Sequence, residues 1–342
     1  MPSPFPNLPP YERGAVVAQW HSSRVLRGNP WGDPTERDLH IYLPQGYTTG
    51  DAPLPCVLFL AGYSGTGEKF FSRGLTDPSL PSRIDALIAQ GCPPFIGVFP
   101  DVMTRVGGSQ YVDSPAIGAY ATYLIDEVRP FVDARYRTSG AWGAIGHSSG
   151  GFGALHLAMN HAGALQAIGC HAADLGFDLC YLGDIPRAIA GIQAAGGLAR
   201  FIATFWDNPD PDSRAFAAMN LIAMSCAYSP APGAPDVPAD LPFDPITGAV
   251  HYEVLQRWGA WDPLQQVLDP ARVEALRGLR LLYLDAGSRD EYLLHLGARR
   301  LAQRLTALAV PHTYEEFVGS HRSLSRRYEV SLPRVVAALG GR

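Results

Sequence analysis

Pro55-Cys56-Val57-Leu58-Phe59-Leu60 is apolar without interruption. A strand with one wet face alternates polar and apolar residues. An unbroken apolar run of this length fits a strand covered on both faces, as in the middle of a parallel sheet. Phe95-Ile96-Gly97-Val98-Phe99 has the same character, and so does Leu281-Leu282-Tyr283-Leu284. Each run ends in a loop rich in Gly or Asp. Parallel neighbours require crossover connections, usually helices, so the chain reads as α/β with helices on both faces of a mostly parallel sheet. Its 342 residues, 47% hydrophobic, can fill the core of one large domain spanning 1–342 or of a domain with an insertion.

Residues 14–20 and 37–44 alternate and read as an antiparallel pair of strands joined by a turn at 28–34. Residues 84–90 read as a short helix. In 117–132 the apolar positions Ile117, Tyr120, Ala121, Leu124, Ile125, Val128, Phe131 and Val132 recur in steps of three and four, with Asp126, Glu127 and Arg129 expected on the other faces. Residues 1–13 are proline-rich and read as an extended arm.

Gly146-His147-Ser148-Ser149-Gly150-Gly151 follows the strand-like Trp142-Gly143-Ala144-Ile145 and precedes the helix-compatible Phe152-Gly153-Ala154-Leu155. Strand, sharp turn and helix place Ser148 at the tip of a G-x-S-x-G elbow. Such a turn is strained and crowded, so the flanking positions must be glycine or very small. The following helix directs free amide groups toward the reacting centre. In a chain with 36 glycines the pentapeptide is weak evidence alone; what counts is whether a base, an acid and an oxyanion hole accompany it.

His321, in Gly319-Ser320-His321 after the last expected strand (312–317), is the candidate base. The candidate acid is Asp290, in the loop after the strand at 279–285, with Asp285 and Glu291 as alternatives. Serine, acid and histidine then follow the chain order of an α/β-hydrolase triad, each just past a strand on one sheet edge. The amides of Tyr63, after the first buried strand, and Ser149 are the candidate oxyanion donors. Ser109, Tyr111 and Asp113, in the loop after the strand at 95–101, lie at the ligand-binding edge of such sheets and are candidates for substrate contact, the alternative being a loop that packs on itself. His171, ending the strand at 166–171 just before Ala172-Ala173-Asp174, either touches substrate or, the preferred reading, satisfies a neighbouring group.

From 178 to 275 the α/β rhythm stops. Residues 185–205 and 215–228 read as helices. Phe201, Phe205, Trp206, Met219, Met224, Tyr228, Trp258 and Trp261 make this insertion too apolar for a solvated excursion. It is expected to be either a helical cap over the site or a buttress against the sheet edge.

The sequence resembles the esterase family of α/β-hydrolases that contains esterase D, the feruloyl esterases and the mycolyltransferases. The resemblance covers most of 37–177 and 279–340. It rests on Val57-Leu58-Phe59-Leu60-Ala61-Gly62-Tyr63, Pro100-Asp101, Tyr111-Val112-Asp113-Ser114, Arg129-Pro130-Phe131-Val132-Asp133, Ile145-Gly146-His147-Ser148-Ser149-Gly150-Gly151, Asp285-Ala286-Gly287-Ser288-Arg289-Asp290 and Gly319-Ser320-His321. It implies an α/β-hydrolase fold and ester hydrolysis by a serine nucleophile, supporting Ser148, Asp290 and His321 as triad and the Tyr63 and Ser149 amides as oxyanion donors. Ala61-Gly62 stands where many members have His-Gly, and Ser149 where many have Met. The substrate does not carry over, because the insertion exceeds the usual core.

These features imply a carboxylic ester hydrolase acting on small or aromatic acyl esters without metal or organic cofactor. An acyltransferase using the same triad is the nearest rival; a non-catalytic binding module of the same fold is a more distant one. The net charge of −5 and the lack of a basic stripe argue against nucleic acid as partner. No apolar run is long enough to span a bilayer. The five cysteines, odd in number and without metal spacing, read as buried free thiols of a reducing compartment. With no visible signal peptide this points to the cytoplasm, although a secreted chain that had shed its signal would read the same way. The oligomeric state is not legible; a homodimer is among the assemblies allowed.

Overall fold

The computed structural model describes residues 13–74 and 77–340; the proline-rich arm up to residue 12 lies outside the described residues. Ten strands occur among them. They are β1 (Ala15–Ser22), β2 (Glu36–Leu43), β3 (Leu54–Leu60), β4 (Ile96–Pro100), β5 (Asp113–Ser114), β6 (Gly118–Ala119), β7 (Thr138–His147), β8 (Ala167–His171), β9 (Leu281–Gly287) and β10 (Thr313–Phe317). β5 and β6 form a small hairpin. The other eight make one sheet in the order β1-β2-β4-β3-β7-β8-β9-β10. β2 runs antiparallel to both its neighbours, and from β4 to β10 every pairing is parallel. This is the α/β-hydrolase fold.

The uninterrupted apolar runs become the middle of the sheet, as their composition requires. In β3, Val57 and Phe59 enter the core on one face, while Cys56, Leu58 and Leu60 enter the core on the other. The first face is covered by α1 (Leu80–Ala89) and the C-terminal helix. Its packing centres on Phe59 stacked on Phe99 at 4.7 Å. The second face holds α2 (Tyr120–Thr122), α3 (Arg129–Arg135) and α4 (Ser149–Asn160), which packs on β7, β8 and β3. All five cysteines are free and buried.

The helix expected through 117–132 differs in one respect. Between α2 and α3 lies a π-helical turn, Tyr123–Val128. The wider turn brings Glu127 inward rather than onto an outer face. Its carboxylate is 5% exposed and accepts the backbone N–H groups of Arg24 and Val25 at 2.9 and 3.3 Å.

Between β8 and β9 the chain is helical: α5 (Phe177–Cys180), α6 (Ile185–Ala194), α7 (Leu198–Thr204), α8 (Ser213–Tyr228), α9 (Tyr252–Gly259), α10 (Pro263–Gln266) and α11 (Pro270–Arg277). The expected helix at 185–205 is broken at Gly196-Gly197, both with positive φ. α12 (Leu294–Ala307) and α13 (Tyr328–Gly340) complete the fold. α13 runs on through Pro333, with Leu332, Val335, Val336 and Leu339 buried against the sheet. No single helix among the described residues is long and apolar enough to cross a membrane.

Candidate active site

The carboxyl ends of β3, β7, β8, β9 and β10 share one edge of the sheet, and the loops leaving them converge on a cavity of about 640 Å³. Ser148 and His321 both line it, together with Gly62, Tyr63 and Ser149.

Ser148 links β7 to α4 with φ 56 and ψ −125. That conformation costs a residue with a Cβ about 1–3 kcal/mol and persists only where the surroundings enforce it. Here Ser148 N–H donates to the His171 carbonyl at 2.9 Å, and Phe152 N–H to the Ser148 carbonyl at 3.0 Å. The glycines on either side are sterically required. A Cβ on Gly150 would sit 2.0 Å from the Leu60 carbonyl oxygen, and one on Gly146 would sit 2.3 Å from the Gly150 backbone. Backbone cannot rotate away, so Gly150→Ala is expected to destabilise the fold by about 3 kcal/mol or more. Urea unfolding checks this; a midpoint unchanged from wild type would contradict the packing described.

The strain is concentrated at this edge. Among the described non-glycine residues with positive φ, Ser64, Gln110, Tyr111, Ser148, Ala172 and Leu293 lie in loops following parallel strands of the sheet. Only Ala309 lies elsewhere.

Asp290 is 2% exposed. One carboxylate oxygen, Oδ1, accepts the N–H of Tyr292 at 2.9 Å, and the other, Oδ2, lies 2.8 Å from His321 Nδ1. Glu291 is occupied differently, accepting the backbone N–H of His321 at 2.8 Å. Tyr292 packs edge-on to the imidazole at 4.9 Å. The ring is therefore gripped through backbone, face and Nδ1, which leaves Nε2 for the cavity. Asp285 is committed elsewhere. Its carboxylate meets His171 Nδ1 at 2.7 Å and accepts from Arg327 Nε at 2.7 Å and Tyr283 OH at 3.0 Å. His171 is fully buried, its Nε2 on Ser331 Oγ at 2.9 Å, and has the satisfying role preferred from the sequence.

The three substrate-contact candidates from the loop after β4 are corrected, none of them lining the cavity. Ser109 and Tyr111 are 1% and 2% exposed. The Tyr111 hydroxyl donates to the Ala61 carbonyl at 2.6 Å, and Ser109 Oγ accepts the Tyr111 N–H at 3.2 Å. With Gln110 and Tyr111 both at positive φ, the loop turns inward and becomes packing beneath the elbow. Asp113 is exposed and bonded to Thr122.

The insertion packs into the core and also reaches the cavity. Phe201, Met219, Met224, Tyr228 and Trp258 are buried in the main core, whereas Cys180, Tyr181, Asp184, Phe216 and Asn220 line the cavity.

Asp174, which the sequence reading passed over, lies in the wall beside the serine. It is 5% exposed. Its Oδ2 accepts from Tyr181 OH at 2.8 Å, Ser149 Oγ at 3.0 Å and Gln110 Nε2 at 3.1 Å, while Ser148 Oγ reaches its Oδ1 at 3.3 Å. Burial pushes its carboxyl above the usual aspartate range, against the donated hydrogen bonds and nearby His321, which pull it down. The only available signal was its place after β8 on the same edge.

His147 also lines the cavity, its Nδ1 3.1 Å from Tyr328 OH. Burial, helped by Lys69, pushes it down to about 3. His156, stacked on Phe152, is likewise pushed down to about 3 by burial. Both histidines have folded pKa values below the ordinary 6.5, so between those limits the unfolded chain binds protons the folded chain refuses. Stability therefore falls as pH drops below about 6.5, each histidine contributing about 1.4 kcal/mol per pH unit. Asp174 and Asp262, both raised by burial, oppose this at the acid end. Thermal melts from pH 7 to 4 are expected to show a falling Tm and a shallower fall in His156→Phe; identical slopes would contradict the assignment.

Residues 34–339 match the model of the family described as "Putative esterase". The chain belongs to this esterase family. No curated protein sequence matches it. Among solved structures it is similar to a ferulic acid esterase (TM-score 0.62, 19% identity, covering 96% of this chain and 100% of that one). It is also similar to an S-formylglutathione hydrolase from Agrobacterium tumefaciens (TM-score 0.59, 15% identity, 96% of each chain). A third is a ferulic acid esterase from Anaeromyces mucronatus (TM-score 0.53, 16% identity, covering 96% of this chain and 93% of that one). These likenesses support the fold, and family membership makes this esterase a carboxylesterase, an enzyme that hydrolyses esters.

Proposed function

We propose that this esterase is a serine hydrolase that turns over small or aromatic acyl esters through an acyl-enzyme on Ser148. The observation that carries the reading is the His321–Asp290 contact of 2.8 Å at a cavity that also holds the strained Ser148. On substrate binding the serine hydroxyl exchanges its acceptor, leaving Asp174 for His321 Nε2. Catalytic hydrogen bonds often tighten only in the complex. The Oγ–carbon bond forms as the proton passes to His321, which returns it to the leaving alcohol; Asp290 holds the tautomer and stabilises the imidazolium. Water, deprotonated by the same histidine, then releases the acid.

The Tyr63 and Ser149 amides hold the oxyanion. In support, Ser149 opens α4, where amides lack intrahelical acceptors, and no backbone acceptor takes the Tyr63 N–H among the described residues. The cavity-lining residues of the insertion act as a cap over a small-molecule ester.

Turnover of p-nitrophenyl and feruloyl esters, with product analysis in added alcohol, tests the reading. Free acid as the main product is the expected outcome. Transfer of most acyl groups to the alcohol would make the protein an acyltransferase, and no turnover by folded protein would refute the proposal.

A further inference from the structure

We propose that Asp174 is the acyl-side specificity residue of this site, receiving a hydrogen-bond donor, hydroxyl or ammonium, carried on the carbon next to the ester carbonyl. The inference rests on the serine-hydrolase reading above and names a substrate class for it.

The Asp174 carboxylate is already held by its neighbours. Oδ2 is filled by three donors, from Tyr181, Ser149 and Gln110. Gln110 Nε2 also lies 2.9 Å from Tyr228 OH, so α8 helps fix the group that fixes the carboxylate. The side chain is thus locked in orientation, with Oδ1 turned toward the nucleophile. Oδ1 has a single, long donor among the described residues, the Ser148 hydroxyl at 3.3 Å.

Substrate binding turns that donor toward His321, and acylation removes it altogether. The Ser148 O–H bond breaks, its proton moves to His321 Nε2, and the new Oγ–carbon bond leaves no hydrogen for Asp174. An almost fully buried carboxylate oxygen then faces the cavity unpaired, beside a centre that itself becomes negative. Leaving such a group unsatisfied is strongly unfavourable. A substrate that brings its own donor replaces the lost hydrogen bond, and an ammonium also neutralises the charge. Oδ1 lies one hydrogen bond from the atom that carries the acyl group, so the substituent within its reach is on the neighbouring carbon. A plain acyl group offers nothing there.

Methyl mandelate, methyl phenylglycinate and methyl phenylacetate differ at that carbon only by hydroxyl, amine or hydrogen. Their kcat/KM values can be followed by pH-stat, with fluorophosphonate labelling of Ser148 as the check that each preparation is assembled. Wild type is expected to favour at least one donor-bearing ester over phenylacetate by about tenfold or more. In Asp174→Asn, of nearly identical shape, that ratio is expected to collapse toward one for the amine. Asp174→Leu, which offers no acceptor, is expected to lose it for both. A preference for mandelate alone identifies the hydroxyl as the donor, and a preference for phenylglycinate identifies the ammonium. Wild-type ratios of one or below with Ser148 labelled would overturn the proposal, as would a preference that both variants retain. Failure of wild type to label would remove the serine reading beneath it, and the proposal with it.

Discussion

Ser148→Ala is expected to reduce kcat on any ester substrate on the order of 10⁴- to 10⁶-fold while leaving the fold in place. The change removes only Oγ from a residue whose φ of 56 is imposed by backbone hydrogen bonds and by glycines packed against β3. Circular dichroism and Tm should therefore remain close to wild type. What would be lost is the proposed nucleophile; binding and the proposed oxyanion donors would account for any residual rate. Turnover within about 100-fold of wild type, in a preparation free of contaminating esterase, would refute the nucleophile assignment.

Asp290→Asn and Asp285→Asn are expected to separate catalysis from stability. Asn at 290 can still accept the Tyr292 N–H but no longer enforces the His321 tautomer or stabilises the imidazolium, so kcat should fall about 10⁴-fold with little change in Tm. Asp285 meets buried His171 and the largely buried Arg327 away from the cavity. Neutralising it leaves Arg327 with only part of its pairing, through Glu315 and Tyr283. Removing one member of such a buried ion pair costs about 3–5 kcal/mol. The expected result is a much less stable protein that, while folded, keeps most of its kcat. The opposite ranking of the two variants in kcat would move the acid to Asp285.

The fold was legible because burial on both faces leaves an uninterrupted apolar signature. β3, β4 and β9 fall within a few residues of the runs that announced them. The candidate residues Ser148, Asp290 and His321 were legible because each follows a strand whose carboxyl end faces the same edge. That logic identifies an edge, not the direction of a side chain within a loop. It could not show that two successive positive φ values turn Tyr111 inward onto Ala61. Asp174 was missed for the converse reason. Its significance comes from Gln110, Tyr181, Ser149 and Ser148 meeting around it, and no local pattern in Ala172-Ala173-Asp174 records that meeting. Glu127 was misplaced because a π-helical turn breaks the 3.6-residue period on which its face was assigned.

The most direct test of the central claim is intact-mass spectrometry after fluorophosphonate treatment, followed by peptide mapping. A serine activated by His321 should give a single adduct on Ser148, absent in Ser148→Ala and formed far more slowly in His321→Ala. A folded sample that gives no adduct, or one modified elsewhere with the Ser148 peptide unchanged, would contradict the site as assigned.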